Sequence, residues 1–116
     1  MSDLNDLIIR YRKFTHERDW QQFHDPRSLI LALVGEVGEL AELFQWRGPQ
    51  IADAADSNSE LNRRASEEIA DVLLYLVRLS DELNIDLLDA AHKKLSAAEQ
   101  RFPAYAFKGQ APDKTQ

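Results

Sequence analysis

Leu29-Ile30-Leu31-Ala32-Leu33-Val34-Gly35-Glu36-Val37-Gly38-Glu39-Leu40-Ala41-Glu42-Leu43-Phe44 is an apolar run interrupted only by glycine and glutamate. A second run, Glu68-Ile69-Ala70-Asp71-Val72-Leu73-Leu74-Tyr75-Leu76-Val77, has the same character. Each holds two acids spaced i, i+3: Glu36 with Glu39, and Glu68 with Asp71. Residues at that spacing share one helix face, a turn apart. From Ile69 to Leu79 the second run is apolar nearly all round, as expected of a helix buried on several sides. Its polar stripe is Glu68, Asp71, Tyr75 and Arg78.

Outward from these runs the chain reads as four helices and no strand. Asp25 is an N-cap followed by Pro26, which opens a helix running to about Trp46 and stopped by Gly48-Pro49. Upstream, Leu4, Leu7, Ile8, Tyr11 and Phe14 keep helical spacing from about Asp3 to Arg18. An aromatic and polar stretch, Trp20 to Asp25, joins the two. Pro49 to Asn62 is polar and reads as a loop, long enough for a functional role. The third helix starts at about Glu60 or Ser66 and ends at Leu83. The fourth starts behind the N-cap Asp86 and ends near Phe102-Pro103. The expectation is an all-α, four-helix bundle-like protomer over residues 1–103, with 104–116 a polar, poorly ordered tail.

Composition narrows the function. The chain has 116 residues, enough for one modest core, and small helical proteins often gain burial by assembling. Four glycines and four prolines favour long regular elements. With 14 basic and 20 acidic side chains the net charge is −6, which argues against binding a nucleic-acid polymer. A nucleotide remains possible if a cation mediates the contact. Cysteine is absent, which excludes a disulfide framework and a thiolate metal site and suits a cytoplasmic protein. No basic-then-apolar signal pattern stands at the N-terminus. The longest apolar run, Leu29 to Val34, is too short for a bilayer, so no membrane association is expected.

A carboxylate on a buried stripe is costly unless it is paired or binds metal. Few basic residues lie on these helices near the acids, so a cation shared by Glu36, Glu39, Glu68 and Asp71 is the simplest arrangement. All-oxygen ligands point to magnesium, with manganese as substitute, rather than zinc. A di-iron bundle would need Glu-x-x-His motifs, and neither pair has a His at that offset. The competing reading is a solvated helix face with i, i+4 partners. Glu42, Glu60 and Glu67 read as surface acids or supports, and His16 and His92 as surface. Gly35 and Gly38 bracket Glu36, and mid-helix glycine costs roughly 1 kcal/mol against alanine. Either tight helix packing or the close approach of a backbone or ligand accounts for them.

The two acidic segments together resemble the MazG-like superfamily of all-α nucleoside triphosphate pyrophosphohydrolases. That family's pattern is Glu-Glu-x-x-Glu, a spacer, then Glu-x-x-Asp. Here Gly35 replaces the first Glu, and 28 residues separate Glu39 from Glu68. The run Arg18-Asp19-Trp20-Gln21-Gln22-Phe23-His24-Asp25-Pro26-Arg27-Ser28-Leu29 is similar to the dCTP pyrophosphatase branch. The resemblance covers roughly residues 4 to 103. It implies a homo-oligomer, a dimer or dimer of dimers with the tetramer favoured, and hydrolysis between the α and β phosphates. It implies metal ligation by Glu36, Glu39, Glu68 and Asp71, and base and sugar contacts from Trp20, His24, Trp46 and Tyr75. Lys94 matches a phosphate-contacting lysine, and Arg101 the basic residue before the aromatic-Pro pair. Tyr11 stands where some relatives have His, and Ala98 where the pattern has Asn.

These readings converge on a magnesium-dependent enzyme that limits a cellular nucleotide, dCTP or a modified dCTP. Glu39 is the preferred proton acceptor, and Lys94 a point charge for the phosphates. On one continuous helix Trp46 would lie two turns beyond Glu39, roughly 10 Å along the axis. That is a nucleotide's reach from phosphate to base. The alternatives are the same fold acting on dUTP or a broad range of triphosphates, and a noncatalytic helical module that merely binds divalent ions.

Overall fold

The structure, a computed structural model, describes residues 3–48 and 54–112. Every regular element among them is helical: α1 (Leu4–Glu17), α2 (Pro26–Glu42), α3 (Glu60–Glu82), α4 (Leu87–Arg101) and α5 (Ala104–Phe107), with a short 3-10 turn at Gln21–Phe23. The all-α expectation holds; the second and fourth helices begin at their expected caps, Asp25 and Asp86, and the third begins at Glu60, the earlier of its two expected starts. The Asp3, Asp25, Ser59 and Asp86 side chains each accept from a backbone N–H of the first turn. Asn84 closes α3 at φ 56°, the left-handed conformation that a short polar side chain tolerates.

The helix α2 ends at Glu42, one turn before the expected Trp46. Beyond it the chain tightens. Leu43 donates to the Leu40 carbonyl, Phe44 to Ala41 and Arg47 to Phe44, all i to i−3 bonds. The helix has thus already narrowed before Gly48 is reached. Near the start of α3, the Asn62 amide donates to the Ala54 carbonyl at 2.8 Å, tying the preceding loop down. The loop residues 49–53 lie outside the described residues.

The chain forms two compact units, residues 1–84 and 85–116. In the first, α2 lies along α3, and α1 meets α3 more lightly. Leu29, Leu61, Ala65 and Val77 are buried. Arg12 on α1 clasps Asp81 on α3 through Nε, at 3.0 and 2.9 Å from the two carboxylate oxygens. Arg78, only 7% exposed, holds Asp81 and Glu82. In the second unit α4 has no buried residue, Lys93 pairs with Asp89, and α5 falls within the segment expected as a tail.

Within this chain α3 leaves part of its apolar surface open. Ile69 is 56% exposed, and Leu73 and Leu76 are also open. On α2, Leu31 and Val34 are about 60% exposed. A Cβ built on Gly35 or Gly38 meets nothing within 4 Å, so neither glycine is explained by packing among the described residues. No helix among them is long and apolar enough to cross a membrane.

Candidate active site

The i, i+3 spacing turns Glu36 and Glu39 to one face of α2, and the packing of α2 along α3 brings Glu68 to meet them. One carboxylate oxygen from each of the three lies within 4.8 Å of the others. Glu36 and Glu68 are half-buried, and Glu39 is exposed. Asp71 falls outside that trio, but its charge acts on both Glu36 and Glu68.

Crowded carboxylates hold protons more tightly than isolated ones. Glu36 is pushed up to about 7 by burial first, then by a hydrogen bond to Glu68 and the charges of Glu39 and Asp71. Burial also raises Glu68, opposed by its bond to Glu36. The Oε2 atoms of Glu36 and Glu68 are buried with no hydrogen-bond partner among the described residues. Carboxylate oxygens that lack donors and stand close to like charges suit a hard divalent cation, which would satisfy the oxygens and offset the repulsion.

The expected aromatic contacts fall in different places. Trp46 is 90% exposed and lines an open cleft of about 720 Å³ together with Glu39 and Glu68. Although α2 ends early, the tight turn after Glu42 still carries Trp46 to the acids. Trp20, His24 and Tyr75 do not line that cleft. Asp19, in the left-handed conformation, turns the chain after α1 so that the Trp20 N–H reaches the Thr15 carbonyl at 3.0 Å. The Trp20 ring then packs edge-on to Phe14 at 5.6 Å. His24 ends the 3-10 turn, with Nδ1 buried and without a hydrogen-bond partner among the described residues. Burial, then the charge of Arg78, holds its imidazole below the ordinary value. Tyr75 and Asp71 act on Tyr11 of α1, whose phenol is raised chiefly by burial. Tyr11 also lines an apolar pocket of about 260 Å³ with Leu7, Phe14 and Leu74.

In the second unit Lys94 is exposed on α4, and the Arg101 guanidinium lies 5.2 Å from the Phe102 ring centroid. Glu60 and Glu67 pair with Arg63 at the surface, as expected of solvated acids. The expectation of few basic residues near the acids needs correction. Arg47 and Arg64 line the same cleft as Glu39 and Glu68. The i, i+4 spacing of Arg64 to Glu68 was the available signal.

A helical pair presenting acids of this spacing defines a class. The chain belongs to the MazG nucleotide pyrophosphohydrolase domain family, which matches residues 24–105. Within that class it is 46% identical over 110 residues to dCTP pyrophosphatase 1 of Rattus norvegicus, covering 93% of this chain and 64% of that protein. It is 47% identical over 108 residues to dCTP pyrophosphatase 1 of Homo sapiens, covering 88% and 60%. The chain therefore spans less than two thirds of the length of these curated relatives. Among solved structures it resembles a pyrophosphatase from Archaeoglobus fulgidus, with TM-score 0.73 and 32% identity, covering 89% of this chain and 94% of that one.

Proposed function

We propose that this chain hydrolyses a nucleoside triphosphate, dCTP or a modified dCTP, to the monophosphate and pyrophosphate, and so clears the nucleotide pool. The observation that carries the reading is the Glu36–Glu39–Glu68 trio, of which Glu39 and Glu68 line the same cleft as Trp46. The names of the rat and human relatives support the substrate.

Glu36, Glu39, Glu68 and Asp71 would hold magnesium, or manganese in its place. Such an ion, when bound, polarises the α-phosphate and lowers the pKa of a water. Glu39, the exposed member of the trio, accepts the water's proton. Trp46 stacks on the base; the contacts of Trp20, His24 and Tyr75 with base and sugar rest on the family resemblance, since none of the three lines the cleft. The assignments of Lys94 and Arg101 to the phosphates rest on the family resemblance alone. So does reading residues 1–103 as one catalytic domain. The exposed apolar faces of α2 and α3 support a homo-oligomer, with a tetramer favoured over a dimer.

The test is a panel of deoxy- and ribonucleoside triphosphates, with and without magnesium, with products separated. Metal-dependent conversion of dCTP in preference to dUTP and the ribonucleotides is the expected result. Equal rates across the panel would overturn the dCTP assignment, and no turnover of any triphosphate would overturn the activity.

A further inference from the structure

Most arginines on α1 and α3 are committed to carboxylates. Arg12 holds Asp81, Arg78 holds Asp81 and Glu82, and Arg63 holds Glu60 at 2.6 Å and Glu67 at 2.8 Å. Arg64, the next residue on α3, makes no hydrogen bond or ion pair among the described residues, although glutamates stand four residues away on either side. Arg47 uses only Nε, which donates to the Leu43 carbonyl at 3.0 Å. That bond fixes its stem to the turn after α2 and leaves both terminal nitrogens without a partner among the described residues. Both guanidinium-bearing residues are exposed, and both line the cleft of about 720 Å³ that Glu39, Glu68 and Trp46 share.

A surface of net charge −6 with clustered carboxylates repels a polyanion. A cation bound among the acids offsets charge at the phosphate being attacked. The far end of a triphosphate needs separate counter-charge, which grows as the bond breaks. Guanidinium groups suit that task, because their fork of N–H donors matches a pair of phosphate oxygens. We propose, on the reading of this chain as a triphosphate pyrophosphohydrolase, that Arg47 and Arg64 bind the β and γ phosphates and stabilise the departing pyrophosphate. In that step a water oxygen bonds to the α-phosphorus as the bond from phosphorus to the α–β bridging oxygen breaks. The electron pair of the broken bond stays on that oxygen and leaves with pyrophosphate. The water's proton passes to a carboxylate of the cluster and then to solvent.

Arg47→Ala, Arg64→Ala and Arg64→Lys, made in the full chain, test this with magnesium and dCTP. Each alanine variant should lower kcat/KM about ten- to hundredfold, the scale of a lost charge-assisted contact. Inhibition by inorganic pyrophosphate should weaken by a similar factor. Inhibition by dCMP, which lacks the leaving phosphates, should stay within about twofold, and Arg64→Lys should recover part of the loss. An active parent with both alanine variants within twofold, for turnover and for pyrophosphate inhibition alike, overturns the arginine assignment and leaves the activity standing. Equal weakening of dCMP and pyrophosphate inhibition also overturns it, since that marks a general disturbance of the cleft. A parent chain that releases no pyrophosphate from any triphosphate overturns the activity and the arginine assignment together.

Discussion

Glu36 on α2 and Glu68 on α3 present carboxylate oxygens within 4.8 Å of each other, and each also holds a buried Oε2 with no hydrogen-bond partner among the described residues. Two like charges so placed destabilise the fold unless a proton or a cation intervenes. Glu36→Gln should therefore leave the melting temperature of the metal-free protein unchanged or a few degrees higher. It should also remove most of the rise that magnesium gives the parent. A ligand at a hundred times its Kd stabilises by about 2.7 kcal/mol, several degrees in a domain of this size. Thermal melts of both proteins with EDTA and with magnesium read this directly. A variant that melts lower in EDTA yet keeps the full magnesium rise would contradict the cation site.

Trp46 projects into solvent beside the acids, so its removal should not disturb the fold. Trp46→Ala and Tyr75→Ala should raise KM with kcat largely kept, because base contacts change little as the α-phosphorus reacts. Stacking on an aromatic side chain is worth about 1–3 kcal/mol, or roughly 5- to 150-fold in KM. Steady-state kinetics on dCTP test this. A large fall in kcat with KM unchanged would assign these residues to the chemical step instead.

The Arg12–Asp81 clasp joins α1 to α3, and the Arg12 hydrogen bond holds Asp81 below its ordinary 3.8. A depressed carboxylate stabilises the fold fully above about pH 4 and loses that contribution as pH falls through the lowered folded value. Asp81→Asn should flatten the acid side of the stability profile. Arg12 is more than half exposed, so Arg12→Ala should cost only about 0.5–1 kcal/mol. Asp81→Asn should cost about 2–3 kcal/mol near neutrality, since it also strips one partner from buried Arg78. Urea titrations from pH 3 to pH 7 (on the order of the carboxylate range) measure both. Equal costs for the two variants would contradict this division of labour.

Val34 and Ile69 are the most exposed large apolar residues on α2 and α3, at 62% and 56%. Light scattering after size exclusion should find a dimer or tetramer at micromolar concentration. The double variant Val34→Lys, Ile69→Lys should be smaller, since two charges would be buried in the contact. A monomeric parent would contradict the proposed assembly.

Local chemistry was legible in the sequence and distant pairing was not. Asp25 and Asp86 mark helix starts because an N-cap needs only a short polar side chain at one place. The i, i+3 acids mark a shared face because helical geometry fixes it. No local signal shows that α2 narrows at Leu43, because Leu43, Phe44 and Gln45 have no helix-breaking chemistry. The Arg12–Asp81 clasp is a tertiary contact between α1 and α3, beyond any periodicity. Glu36, Glu39 and Glu68 meet as expected, while Asp71 acts from outside the trio. The exposed side of α3 differs from its all-round apolar pattern because hydropathy marks a face for burial without naming what covers it.

The most direct measurement is hydrolysis of dCTP with magnesium in oxygen-18 water, with both products weighed by mass spectrometry. Attack at the α-phosphorus places one heavy oxygen in dCMP and none in pyrophosphate, and Glu39→Ala should reduce that product to background. Label in orthophosphate with release of dCDP, or label in pyrophosphate, would contradict the account.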